Sequence, residues 1–329
     1  MPHSDKEQEE LEGEEQESPN VDASNHNHGG DGERTINDII IIDPEALELD
    51  LNHGRIGKLQ NLEPLVQVER LYLRWNLITK IENLSTLTTL KELELYDNQI
   101  TKIEGLESLV NLEILDLSFN RIKEIEGLES LTNLEKLFLS SNKISKIQNL
   151  GNLKKLTLLE LGDNKIREIE NLDDLVTLQS LFLGKNKITE IKNLHSLVNL
   201  TCLSLQSNRL TKIENLDKLV ELSELYLSEN AITKIENLSE LKKLETLDLA
   251  QNQIGAIENT EALENLQEFW LNDNKVSDWN SVNNLSVHKQ LVTVYLERNP
   301  VAEDPMYRRK LKMIAPSLKQ IDATLCRQE

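Results

Sequence analysis

Acidic and aromatic side chains recur in this chain at a fixed interval. Asp50, Tyr72, Glu94, Asp116, Phe138, Glu160, Phe182, Ser204, Tyr226, Asp248 and Trp270 stand 22 residues apart, and Tyr295 follows the last of them after 25. From Asp116 to Trp270 acids and aromatics largely alternate, with Ser204 as the one polar gap. Carboxylates can serve as general acids and bases, as metal ligands or as partners for cations, and aromatics as apolar anchors. The surrounding residue types decide among these roles. Of the six histidines, His53, His195 and His288 fall in different repeats without acidic or cysteine partners at metal-ligand spacing, and His3, His26 and His28 lie near the N-terminus, where a pair such as His26 and His28 holds a metal weakly and is far more often inert. There is no phosphate-cradling glycine loop and no nucleophile elbow. With 57 acids in the chain, paired carboxylates are too common to mark an acid–base couple. The pattern points to recognition without turnover, and to no cofactor or metal.

A spacing of 22 requires a fold that repeats with it. Each of these residues is the x of a Leu-x-Leu core, from Leu49/Leu51 to Phe269/Leu271, and a twelfth copy, Val294/Leu296, follows a three-residue insertion. Four places after x stands an asparagine, from Asn76 to Asn274 and then Asn299, with Gly54 in its place in the first copy. This is the leucine-rich-repeat pattern. It predicts an α/β solenoid with a curved parallel sheet on the concave face and short 3-10 or irregular return segments. At a strand spacing of ~4.8 Å the units make a sheet roughly 55 Å long. The asparagine is expected to pair with backbone groups that the turn leaves open. Later in each unit Asn83, Gly105, Gly127, Asn149, Asn171, Asn193, Asn215 and Asn237 share one column, and these residue types adopt a left-handed turn at low cost.

The 329 residues carry a net charge of −21. Such acidity argues against direct binding to nucleic-acid backbones or anionic membranes. No apolar run reaches the ~18 residues of a membrane span, and the N-terminus is charged where a secretory signal needs an apolar core. Two cysteines, Cys202 and Cys326, make no disulfide framework, which fits a reducing compartment. Residues 1–36 hold eleven acids against two bases and almost no apolar side chains, so they are expected to form a disordered acidic tail. Repeats follow over 37–298. Residues 299–329 break the period with Pro300, Pro305 and Pro316 around an amphipathic run, Arg308 to Ile314, and are expected to cap the last repeat.

If the leucines face the core, then x and the residues two before and two after it face outward. These 36 positions hold ten acids against three bases, and seven of the chain's twelve aromatics. They include Glu268 and Tyr96 beside the central column. Scattered surface aromatics are ordinary, but this concentration marks a surface for a basic, partly apolar protein. The Lys and Glu residues flanking the later isoleucines, such as Lys80, Lys102 and Glu124, mix signs and read as a solvated flank.

The form Leu-x-x-Leu-x-Leu-x-x-Asn-x-Ile-x-x-Ile-Glu-Asn-Leu, the junction Tyr295-Leu-Glu-Arg-Asn-Pro300, the stretch Asp304-Pro-Met-Tyr-Arg-Arg309 and the acidic N-terminal segment resemble the leucine-rich-repeat regulatory subunits of protein phosphatase 1. The resemblance runs from about Asp50 to the C-terminus. It implies a regulator of nucleus and cytoplasm, active in mitosis and phosphatase assembly, that binds the phosphatase catalytic subunit through the concave face. It further implies a chain monomeric by itself that admits another regulatory protein in a ternary complex. The family's contact positions fall on Asp116, Phe138, Glu160, Phe182, Asp248, Glu268, Trp270 and Tyr295, and the repeat pattern adds Tyr72, Glu94, Tyr96 and Tyr226. Many regulators of this phosphatase dock through a basic-Val/Ile-x-Phe/Trp motif, but no Phe or Trp here has Val or Ile two places before it. Binding by the folded face is the consistent mode. The alternative is a repeat adaptor for a different basic protein.

Overall fold

A computed structural model describes residues 37–41 and 43–326. The expected acidic tail lies outside these residues. Among them no helix is long and apolar enough to cross a membrane.

Twelve three-residue strands, from Glu48–Asp50 to Thr293–Tyr295, pair in parallel and in chain order within a 14-stranded sheet. Each residue faces its equivalent one repeat on, as Leu71 faces Leu93 and Tyr72 faces Glu94. The strands are centred on the first leucine of each core and end at x, one position earlier than alternation about x predicts. The ladder nevertheless continues beyond the strand: the Leu73 N–H donates to the Glu94 carbonyl at 2.8 Å and the Trp75 N–H to that of Tyr96 at 3.0 Å. In the return path the Leu87 N–H bonds the Leu84 carbonyl and the Leu90 N–H that of Leu87, at 3.0 and 3.1 Å, giving single 3-10 turns. Short turns keep leucines three residues apart on one side. Leu71, Leu73, Ile78, Ile81, Leu84, Leu87 and Leu90 are all buried, and the same seven columns make one continuous core. No repeat could cover this face alone.

The asparagines fasten one unit to the next. Asn142 Nδ2 donates to the carbonyls of Leu139 and Ser140 in its own unit, both at 3.1 Å, and to that of Leu117 one repeat earlier at 2.9 Å. Its Oδ1 accepts the Ile122 N–H, also one repeat earlier, at 3.0 Å. The same set recurs at Asn98, Asn120, Asn164 and Asn186. The backbone just before each asparagine, and before Gly54 in the first copy, is left-handed: His53, Trp75, Asp97, Phe119, Ser141, Asp163 and Lys185 have φ between 52° and 56°. Such a φ is uncommon outside glycine and asparagine, so the tertiary hydrogen bonds override local preference here. The later Asn/Gly column is left-handed as expected, with φ of 60° at Asn149 and 68° at Gly127. Asn149 Nδ2 bonds the Ile125 carbonyl at 2.7 Å, whereas at Gly127 a Cβ would stand 2.6 Å from the Ile103 carbonyl oxygen, so that turn closes directly on its neighbour.

Both ends of the described core are closed. Asn37 pairs with Ile56 and donates through Nδ2 to Gly54 O at 2.9 Å, and Ile39 is buried against the first unit. The insertion before the twelfth strand forms α1 (Trp279–Val282) and a 3-10 turn, Asn283–Val287. The amphipathic run near the C-terminus is α2 (Tyr307–Ile314), followed by the hairpin Gln320–Ile321 and Thr324–Leu325. Buried Asp322 ends the ladder: its Oδ1 accepts from the N–H groups of Leu296 and Glu297 and from the Tyr307 hydroxyl, at 2.9, 3.0 and 3.1 Å.

Replacing Asn142 by alanine leaves the buried Ile122 N–H without its acceptor and takes one of two donors from each of the carbonyls of Leu117, Leu139 and Ser140, which keep Asn120 Nδ2, Asn164 Nδ2 and the Phe119 N–H. Unsatisfied buried groups cost about 1–3 kcal/mol each, with partial relief from water. Asn142→Ala is expected to lower unfolding stability by roughly 3 kcal/mol in urea titration, against less than ~0.5 kcal/mol for Lys143→Ala on the exposed turn. Equal midpoints for the two variants would remove the ladder from this account.

Candidate protein-binding face

The registered sheet sets the x side chains in a single file. Asp116, Phe138, Glu160 and Phe182 are consecutive neighbours in that file, because each pairs with the next across the ladder. Glu160 therefore stands between two phenyl rings at the strand spacing of ~4.8 Å. Burial raises the pKa of Glu160, the nearby Asp116 charge adds to the shift, and a hydrogen bond from the Ser140 hydroxyl opposes it. Burial likewise raises Asp116, against hydrogen bonds from the backbone N–H and hydroxyl of Ser118. Carboxylates shifted in this way carry charge that water solvates poorly, and a lysine or arginine from outside would relieve it.

A second group gathers where the repeats end. The Trp270 ring lies 6.4 Å from that of Tyr226 and 6.2 Å from that of Tyr295, within the range of aromatic pairing. Polar tips are tied down around them: the Tyr226 hydroxyl donates to Glu224 at 2.8 Å, Trp270 Nε1 donates to Glu268 at 3.3 Å, and Gln320 Nε2 donates to the Tyr295 hydroxyl at 2.9 Å. Fixed rings lose little entropy on binding, which suits an anchor. Asp248 sits between Tyr226 and Trp270 in the register. Burial raises its pKa, opposed by hydrogen bonds from the Ser228 hydroxyl and the Ala250 N–H. Ser204, the gap in the pattern, separates the two groups and is itself buried. Beside it the Cys202 thiol is pushed up to about 12 by burial and by Glu224, which makes it a poor nucleophile.

Not every position expected outward is open. Glu94 is 8% exposed and Asp248 7%, while Ser118 and Ala250 are also buried. In the register Asp248 lies between Tyr226 and Trp270, and Ser204 between Phe182 and Tyr226, so larger side chains flank these shorter ones. Glu94 is held by Arg74, whose Nη2 donates to it at 2.6 Å and whose Nε stands 2.5 Å from its other oxygen. Of the expected acids, Glu94 thus already has a cation, whereas none of the described salt bridges reaches Asp116, Glu160 or Asp248. The pairs Lys80–Glu82 and Lys102–Glu104 on the return flank are more than half exposed on the lysine side, as a solvated flank should be.

Alternation did not reveal a third feature. Tyr96 belongs to a run of rings, His53, Trp75, Tyr96 and Phe119, with successive centroids 4.4, 5.7 and 4.8 Å apart. Trp75 and Phe119 are 42% and 46% exposed. They occupy the left-handed column ahead of the asparagine, where most other repeats carry Asp, Ser, Lys, Glu, Gln or Arg. That contrast down the column is the signal by which the sequence could have shown them. Tyr72 stands apart from this run in the central file, between Asp50 and Glu94, with its pKa raised chiefly by burial. Among the described residues no group of three or more His, Cys, Asp or Glu side chains is placed to hold a metal ion. His288 is a core residue, its Nδ1 3.1 Å from Leu263 O and its Nε2 3.0 Å from the Thr260 hydroxyl.

Comparison with known proteins places this geometry. A family model described as leucine-rich repeat matches residues 136–227 and 224–329, and a second, of two leucine-rich-repeat copies, matches 88–130. Among curated proteins, a 52-residue stretch is 54% identical to protein phosphatase 1 regulatory subunit 7 of Homo sapiens, covering 16% of this chain and 14% of that protein. The protein of the same name from Danio rerio is 56% identical over 49 residues, 15% of this chain and 14% of its own length. The aligned stretch is thus about a seventh of these relatives' length. Among solved structures, an internalin of Listeria monocytogenes superposes with a TM-score of 0.68 at 28% identity, covering 86% of this chain and 87% of the internalin. A leucine-rich-repeat protein of Leptospira interrogans gives 0.65 at 26% identity, covering 79% and 73%.

The raised carboxylates bear on stability with a definite sign. Their folded pKa values lie above the unfolded ones, so their contribution is fully present below the ordinary carboxylate range and is lost as pH rises through the raised values. Asparagine keeps an oxygen for the N–H groups of Ser118 and Ala250 while removing the charge. Asp116→Asn and Asp248→Asn are expected to melt roughly 1–3 °C above the parent at pH 7, with the gain vanishing below about pH 4. A lower melting point at pH 7 would mean that the carboxylate's hydrogen bonds outweigh its burial.

Proposed function

The chain belongs to the leucine-rich-repeat family, and from the face it builds we propose that it is a non-enzymatic regulatory subunit that grips the catalytic subunit of protein phosphatase 1 and controls its activity or assembly. The observation that carries this reading is the file of partly buried carboxylates, without a salt bridge among the described residues and set between aromatic rings, Asp116, Phe138, Glu160 and Phe182, continued by Asp248, Glu268, Trp270 and Tyr295. The names of the aligned relatives support the choice of partner. Nucleus and cytoplasm are the proposed places of action.

The physical course of binding follows from the face. Acidic side chains draw a basic surface into the groove and raise the rate of encounter. Once docked, lysine or arginine side chains reach Asp116, Glu160 and Asp248, whose desolvation was already incurred in folding, so the Coulomb gain is opposed mainly by desolvation of the partner's cations. The rings then carry most of the affinity by excluding water around the charged contacts. A rigid solenoid holds these contacts at repeat intervals and can match only a partner whose basic and apolar features share that spacing.

Phe182→Ala and Trp270→Ala each remove an outward ring, while the leucines beneath stay in place. Each is expected to weaken capture of the purified catalytic subunit by about 2 kcal/mol, roughly 30-fold, and the pair to abolish it with unchanged circular dichroism. A folded double variant that binds as the parent does would sink the proposal. Association should also slow as ionic strength rises, because the opposing charges are screened. An on-rate indifferent to salt would remove the carboxylates from the encounter step.

A further inference from the structure

The concave face is acidic, but the opposite sign gathers at one place on the molecule. Between α2 and the terminal hairpin runs a groove of about 930 Å³ whose lining includes Arg308, Arg309, Lys312 and Lys319 and no acidic residue. In a chain with 57 acids against 36 bases, four neighbouring cations without a carboxylate are unusual. None of the four takes part in an ion pair among the described residues.

Two of these cations are held in place by backbone. Arg308 donates through Nη1 to Ile321 O at 2.7 Å and through Nη2 to Thr324 O at 3.2 Å, which braces the hairpin against α2. Lys312 Nζ donates to the carbonyls of Pro316 and Leu318 at 2.8 and 2.7 Å, behind the helix C-terminus. Carbonyl partners fix the geometry of a cation but leave its charge uncompensated. Arg309 and Lys319 are exposed on the surface of the same groove.

The rest of the lining is apolar. Met313, Pro316, Leu318, Ile321 and Leu325 contribute to it, and Met313 and Leu325 are each 72% exposed. Among the large apolar side chains described, only Ile40 is more open. Exposed apolar surface rimmed by charge of one sign is the form of a docking groove for a segment that carries the other sign.

We propose that the cap groove between α2 and the terminal hairpin is a second interaction surface, which binds an acidic protein segment bearing large apolar side chains. The apolar residues of that segment lie against Met313, Pro316 and Leu325, and its carboxylates meet Arg309, Lys312 and Lys319 at the rim. A nucleic-acid backbone fits less well, because it offers nothing to the apolar lining and its continuous charge would meet a chain of net −21. The proposal is independent of the partner assigned to the concave face. An acidic segment in the cap and a basic protein in the concavity could be held at once by one chain.

The test uses the full chain and a fluorescein-labelled peptide of alternating glutamate and leucine, followed by fluorescence anisotropy. Saturable binding is expected, weakened by ~10-fold or more in the double variant Arg309→Glu/Lys319→Glu and in Met313→Ser, and unchanged in Trp270→Ala. Neither Arg309 nor Lys319 donates a side-chain hydrogen bond among those described, so the double variant is expected to keep the parent's melting point. Met313→Ser tests the lining without changing charge. An all-glutamate peptide should bind at least ~10-fold more weakly than the mixed one, since it lacks the apolar contacts. The proposal is overturned by any of three results: no saturable binding, full affinity in both groove variants, or a single-stranded oligonucleotide that binds more tightly than the peptide.

Discussion

One carboxamide per repeat holds this molecule in register. Each ladder asparagine satisfies carbonyls in its own unit and the preceding one and accepts an N–H from the preceding one, as Asn142 does with Leu139, Leu117 and Ile122. Adjacent units therefore cannot slide without stranding several buried polar groups at once. Parallel pairing in exact repeat register follows, and with it the single file of x residues. The left-handed residue ahead of each asparagine follows too, since the chain must turn there to bring the amide inward. The binding face depends on this fastening because its side chains are useful only at a constant spacing.

That face carries a tension between folding and recognition. Asp116, Glu160 and Asp248 are acids that burial disfavours, and among the described residues they have hydrogen bonds but no salt-bridge partner. Glu94 shows the contrasting arrangement, with Arg74 supplied from the neighbouring repeat. Leaving three carboxylates without a salt bridge is costly in the free chain, and under the proposed function a basic partner would offset that cost, a trade of stability for function. The aromatic rings around them strengthen the effect by displacing water.

Most of the architecture could be read before any coordinate was known, because a solenoid converts sequence period directly into spatial neighbourhood. Leucine at every core position, asparagine four places after x, and Asn or Gly in the later turn each state a local requirement that no other fold shares at that interval. The proposed contact residues were legible for the same reason. The degree of cover over each was not. Glu94 and Asp248 look as outward as Asp50 in the pattern, yet both are buried, Glu94 against Arg74 and Asp248 between Tyr226 and Trp270 in the register. The rings of Trp75 and Phe119 were hidden because their backbone conformation is one that aromatic residues seldom choose.

What the amino-acid order decided alone was therefore periodic: the strand, the turn, the ladder and the identity of the side chains in each column. These depend on contacts between a residue and its equivalent one repeat away, so a short window of sequence contains them. What needed the folded chain was everything that depends on width or on meetings between unlike parts. The partial burial of the acids comes from how closely the inner side of the sheet is filled. The aromatic run from His53 to Phe119 comes from side chains at different positions of their repeats leaning together. The basic groove arises where α2 folds back on a hairpin, bringing Arg309 and Lys319 together outside the repeat. No period reports such a meeting, because only the closing of the solenoid's end creates it.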